Sequence, residues 1–161
     1  MTPFQDPTKF TFVTLENKDE ALRIILYLLI SNVGYKSLPL LQIHTFYQSI
    51  LHNNYILMID DNKAIAVMMW MWVSAEVKED CLKNDRDALI SELASKGDAI
   101  YCTAFTSIRP GKLLPLFKFF SKMYYDSDIL FKKHFKRGKR ESIPIMLVRR
   151  QRRVKAVSNR R

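Results

Sequence analysis

The sequence predicts a single α/β domain in which helices flank a mixed sheet. Three observations carry this. Two apolar runs, Tyr55 to Ile59 and Ala64 to Val73, flank the polar turn Asp60-Asp61-Asn62-Lys63 and read as a β-hairpin, so antiparallel neighbours are present. A later strand–helix–strand order, from Ala99 to Val148, favours a parallel pair. Helical periodicities stand before and after the hairpin, and none of them dominates the chain. The expected organisation is a domain over residues 1–148 and a basic C-terminal tail over 149–161.

Lys9 to Leu15 (KFTFVTL) alternates as a first strand, with Phe10, Phe12 and Thr14 on one face. Asn17 is placed to cap a helix that opens Lys18-Asp19-Glu20, buries Ala21, Ile24, Ile25, Leu28 and Leu29, and stops before Gly34. Pro39 suits the first turn of a second helix, Leu40 to Leu51, with the stripe Leu40, Ile43, Tyr47, Ile50 and Leu51 facing inward. After the hairpin, Ser74 is a natural N-cap for a helix from Ala75 to Leu93, with a break near Asn84-Asp85 and Glu76 in its first turn. Gly97-Asp98 punctuates before a strand from Ala99 to Ser107. Pro110-Gly111 ends that strand and opens a helix from about Leu113, with Leu114, Phe117, Phe120 and Met123 on one side. Phe131 to Lys136 reads as a helical turn. Ile143 to Val148 reads as a strand that Pro144 confines to an edge or a strand start.

With 48% hydrophobic residues and 12% aromatics in 161 residues, the chain has the material for one core and lacks the composition of a disordered protein. It has no run of eighteen uncharged apolar residues. The polar start, Met1 to Lys9, lacks the basic and apolar regions of a signal peptide, so a cytoplasmic location is expected. Cys81 and Cys102 lack metal-ligand spacing and are expected to be reduced thiols. The net charge of +10 is concentrated: Asp128 to Arg161 holds thirteen basic and two acidic residues, while the rest of the chain is close to neutral. Such a segment attracts an acidic partner.

The hairpin region carries a recognisable pattern: Asn54-Tyr55, Asp61-Asn62, Ala66, then Trp70-x-x-x-Ser74-x-Glu76, and Gly97-Asp98 before an aromatic strand. It resembles the HlyC-type toxin-activating lysine acyltransferases over roughly Leu29 to Val148. The resemblance implies a GNAT-like mixed sheet, with acyl transfer from an acyl carrier protein to a toxin lysine by a histidine and an aspartate. Tyr35 stands in the segment where that histidine is expected, and Ala104 at the aspartate position. A tyrosine with a pKa near about 10 is a poor base at neutral pH, and alanine cannot orient or stabilise a charge. The GNAT pyrophosphate loop is reduced to Arg109-Pro110-Gly111-Lys112, with one glycine. No bound cofactor is therefore assigned, and the acyl or acyl-like donor stays open.

If the chain is catalytic, Tyr35 and His44 are the candidate reacting residues, because His44 is the nearest imidazole after Pro39 and histidine is the side-chain type suited to act as a base near neutral pH. His52 and His134 are weaker candidates. Lys36, Trp70, Arg109 and Lys112 are candidate substrate contacts. Lys136, Arg137, Lys139 and Arg140 are candidate contacts to an acidic protein or peptide.

The first functional reading is a divergent HlyC-like protein maturing a bacterial toxin or microcin. Its partner is a second maturation protein, or the chain self-associates. One form of this reading is siderophore attachment to a microcin's C-terminal serine. The alternatives are lysine acylation of an RTX-type toxin and a catalytically inactive binding subunit. A nucleic-acid-binding module using the basic tail is a further alternative, although the tail has few aromatics for stacking and no recognised DNA or RNA motif.

Overall fold

A computed structural model describes residues 4–5, 10–32, 40–131, 135–136, 139–140 and 146–148. Its elements are β1 (Phe4–Gln5), β2 (Thr11–Val13), α1 (Lys18–Ile30), α2 (Leu40–Leu51), β3 (Tyr55–Asp60), β4 (Lys63–Val73), α3 (Ala75–Asn84), a 3-10 turn (Ile90–Glu92), β5 (Ala99–Ser107), α4 (Leu113–Met123), β6 (Asp128–Phe131), β7 (Phe135–Lys136), β8 (Lys139–Arg140) and β9 (Met146–Val148). Seven strands form one sheet in the order β1-β2-β3-β4-β5-β6-β9, and β7 and β8 form a separate hairpin. All neighbours in the large sheet are antiparallel except β5 and β6, which α4 connects.

Local chemistry fixes the joints. Asp61 and Asn62 both have positive φ, at 48° and 60°, the left-handed geometry that a two-residue hairpin loop needs to match strand twist. The Asn17 side chain accepts from the Asp19 and Glu20 amides at the start of α1. Ser74 accepts from the Val77 amide and Asp98 from the Ala75 amide, so two side chains cap α3.

Gly97 lies against the end of β4. A Cβ there would sit 2.7 Å from the Val73 carbonyl oxygen and 3.1 Å from Trp72 Cβ, and neither neighbour is a flexible chain end. Gly97→Ala is expected to lower unfolding free energy by about 1–3 kcal/mol. Urea denaturation checks this, with the midpoint falling and the slope unchanged.

β4 is the central strand, paired to β3 on one side and β5 on the other. Its even residues Ala66, Met68 and Trp70 face α4, together with Leu116 and Phe120. Its odd residues Val67 and Met69 face α1 and α2, together with Ile25, Leu28 and Phe46. The apolar character of both faces thus reflects burial within this chain. Two bulges rephase the pattern. Ile65 is extra on β4 opposite the Met58–Ile59 step, and Thr103 is extra on β5 opposite the Met69–Trp70 step. The second bulge leaves Ala104 on the α1/α2 side with Met69.

Several expectations are corrected. The stripe expected to bury α2 is mostly exposed: Leu40, Ile43, Tyr47 and Leu51 face out, while Thr45, Phe46, Ser49 and Ile50 are inside. Small Thr45 and Ser49 let the helix approach the sheet closely, and Ser49 Oγ lies 3.1 Å from the Trp70 carbonyl oxygen. Leu114 and Met123 of α4 are likewise exposed, and Leu116 takes the inward position. The α3 helix stops at Asn84, where Asp85 adopts the left-handed conformation that ends it. The parallel partner of β5 is β6, a strand not anticipated in the sequence. Phe131 ends that strand and Phe135–Lys136 belong to another; the middle of the helical turn expected over Phe131 to Lys136 lies outside the described residues. β9 runs antiparallel to β6 at the end of the sheet order.

Candidate functional site

The β5–α4 junction gathers the features expected of an anion-binding strand-to-helix turn. Ser107 Oγ lies 3.0 Å from the Ile65 carbonyl oxygen and 2.9 Å from that of Arg109, and accepts from the Arg109 amide. The Ile108 amide donates to Ile65 as well, so the turn is sewn onto the start of β4. Arg109 forms an ion pair with Asp60. Lys112 Nζ lies 4.9 Å from the Phe10 ring centroid. Gly111 has φ of 73°, in the left-handed region. Among the described residues no side chain caps the N-terminus of α4, and the positive end of its dipole lies at this turn.

Two further elements converge here. The Asn32 side chain donates to Thr106 Oγ1 at 2.7 Å, tying the end of α1 to the end of β5. β5 pairs with β6 only through Ala99, Ile100 and Tyr101. Beyond Tyr101, no strand among the described residues pairs with that edge, and Phe105, Phe117 and Phe131 fan across it with centroids 5.3–6.1 Å apart. A strand pair that opens beside a helix N-terminus can receive an elongated ligand with an anionic end.

The sequence-predicted residues do not all meet at this place. Arg109 and Lys112 do. Tyr35, Lys36 and Arg137 lie outside the described residues. Ala104 is 2% exposed within the α1/α2 core. Trp70 is corrected from substrate contact to core: it is 1% exposed and its ring packs on Phe120 and Tyr124, 4.8 and 5.5 Å away. Lys136, Lys139 and Arg140 belong to the β7–β8 hairpin, with Lys136 opposite Lys139. Cys102 faces the α4 side opposite Trp70, and burial pushes its thiol up to about 12, so it is not a thiolate nucleophile at neutral pH. Among the described residues no group of His, Cys, Asp and Glu could hold a metal.

His44 lies elsewhere, in a cleft of about 360 Å³ between α2 and the segment after the 3-10 turn. His44, Thr45, Gln48 and His52 form the α2 wall, and Ile90, Leu93, Ala94 and Ser95 form the other, over Met71. The cleft exists because β3 gives out at this level. The Asn54 carbonyl receives the Trp70 amide, and two residues on, Trp72 exchanges backbone hydrogen bonds with Ala94 instead. Arg86 holds the second wall, pairing with Asp80 and, through two nitrogens, with Glu92. That guanidinium keeps the Glu92 carboxyl below its usual range. The Tyr101 hydroxyl donates to Asp87 at 2.8 Å, and burial, followed by the Asp87 charge, raises its pKa well above the phenol norm. His52 carried no sequence signal beyond its spacing of eight residues from His44.

No family model matches the chain, and no curated protein matches it. Among solved structures it is similar to the loading GNATL domain of CurA from Lyngbya majuscula, with 11% identity and a TM-score of 0.59. The match covers 79% of this chain and 66% of that one, so the chain spans slightly under two thirds of its neighbour's length. The fold is GNAT-like. At this identity the likeness concerns the fold alone. Among the described residues, no helix is long and apolar enough to cross a membrane.

Proposed function

We propose that this chain takes part in acyl-type transfer during maturation of a bacterial toxin or microcin, together with a second protein. The observation that carries the reading is the β5–α4 junction, where Arg109, paired with Asp60, Lys112, over Phe10, and the N-terminus of α4 follow the stretch of β5 that β6 leaves unpaired. One glycine and one helix terminus suit a single phosphate, as on a carrier protein's phosphopantetheine arm, better than a pyrophosphate. The likeness to a loading GNATL domain supports acyl handling, and the HlyC-like pattern supports a toxin or microcin acceptor. Attachment of a siderophore to a microcin's C-terminal serine remains the finer form of this reading.

A second reading is favoured by one observation. Ala104 is enclosed by apolar side chains, and no described histidine stands at the junction, since His44 and His52 line the other cleft. The chain then binds donor and acceptor while its partner performs the chemistry.

The test is binding of a purified acyl carrier protein, in apo and acyl-phosphopantetheinyl forms, followed by calorimetry. The acyl form is expected to bind at least tenfold more tightly than the apo form. Arg109→Glu with Lys112→Glu removes that difference. Replacing Lys136, Arg137, Lys139 and Arg140 by Ala weakens both forms, with most of the loss disappearing at high salt. Equal affinity of the folded Arg109/Lys112 variant for the acyl form sinks the assignment of the junction.

A further inference from the structure

We infer that the α2 cleft is a docking site for an uncharged, extended peptide segment of another polypeptide, separate from the donor junction. The first argument is charge. α2 contains no Asp, Glu, Lys or Arg, the described lining of the facing wall, Ile90, Leu93, Ala94 and Ser95, contains none either, and the neighbouring Glu92 is paired with Arg86 at 2.8 Å. In a protein of net charge +10, a two-walled cleft without a free formal charge complements a ligand that is itself uncharged. The exposed Leu40, Ile43, Tyr47 and Leu51 of α2 and Leu89 across the cleft extend this neutral surface.

The second argument is spacing. His44 and Gln48 on α2 and His52, which follows its last residue and whose amide still donates to the Gln48 carbonyl, recur every four residues, so they repeat about every 6 Å over about 12 Å. An extended chain presents backbone groups to one side every second residue, about every 6.6 Å. The row therefore meets three successive backbone positions of a strand-like segment. Neutral imidazole offers one donor and one acceptor, and the Gln amide offers both, matching the alternating N–H and C=O of a peptide. Among the described residues, no hydrogen bond or ion pair engages these three side chains. Met71 and Leu93 form an apolar floor for one aliphatic side chain of the segment.

The inference stands apart from the reading of the junction and is tested apart from it. The probe is the blocked peptide acetyl-Ser-Leu-Ser-Ala-Ser-amide, compared with versions carrying Lys or Glu in place of Leu. NMR follows the His44 and His52 imidazole signals and the Ala94 amide in the full chain. The uncharged peptide is expected to shift all three saturably, and the charged versions to bind at least tenfold more weakly. Ala94→Trp, which fills the cleft, weakens the uncharged peptide at least tenfold, and Ser95→Trp serves if the first variant disturbs the β4 amide signals. Arg109→Glu with Lys112→Glu leaves these shifts unchanged, so failure here and failure of the donor site are distinguishable. Absence of shifts, tighter binding of a charged version, or undiminished binding by a folded Trp variant overturns the inference. Sedimentation of the protein alone separates the other occupant: self-association abolished by Ala94→Trp assigns the cleft to a second copy and overturns it too.

Discussion

Trp70→Ala is expected to cost about 3–5 kcal/mol of stability, the range for deleting a buried aromatic side chain. The ring is 1% exposed and lies between β4 and α4, against Phe120 and Tyr124, so its removal opens a cavity under the only helix on that face of the sheet among the described residues. Its indole nitrogen is buried without a hydrogen-bond partner among the described residues. Trp70→Phe therefore loses volume but also removes an orphan donor, and is expected to stay within about 1.5 kcal/mol of the parent. Urea unfolding of both variants tests the pair. A ligand-contacting Trp70 would behave differently: the Ala variant would fold normally and lose donor binding. Normal stability in Trp70→Ala would return this residue to the list of substrate contacts.

The same distinction runs through the residues that carry the HlyC resemblance. Asp61 and Asn62 make the left-handed turn, Ser74 and Asp98 cap α3, and Gly97 clears the end of β4. Each acts on the frame. This is why they were legible in the sequence: caps, turns and a central strand are local features, each written within a few residues. The hairpin, α1, α2 and β5 were found at nearly their observed limits for the same reason.

The unread parts depend on distant neighbours. β6 is four residues long and becomes a strand only because β5 and β9 flank it. α2 is apolar around much of its circumference, so hydrophobicity alone did not choose a face. The small Thr45 and Ser49, which allow close approach to β4, did. The cleft beside α2 joins residues from α2, β4 and the Ile90–Ser95 segment, and no single window of sequence contains it. The junction was half legible: Arg109 and Lys112 were marked by Pro110-Gly111, whereas the tie from Asn32 to Thr106 spans 74 residues.

Restoring the aspartate that the resemblance places at Ala104 is expected to damage the protein rather than equip it. Ala104 is 2% exposed, pairs with Met69 across the bulge, and shares its core with Ile25, Leu28, Phe46 and Val67. A carboxylate in such surroundings resists ionisation, and burial raises carboxyl pKa values by up to about 3–5 units. At about 1.4 kcal/mol per unit, Ala104→Asp is expected to lose roughly 4–7 kcal/mol at high pH, comparable to the whole stability of a small domain. The sign follows from the raised folded pKa. Below the unfolded value of about 3.9 the side chain is protonated in both states, and only the smaller cost of a buried hydroxyl remains. As pH rises through that value, the unfolded chain ionises first, and the loss grows until the folded pKa is passed. Urea unfolding of parent and variant at pH 4 and pH 8 should therefore show a gap that widens with pH. A variant as stable as the parent at pH 8 would mean that the carboxylate has found a partner at this position. The second reading of the function would then lose its main support, because the frame would still accommodate the family's reacting group.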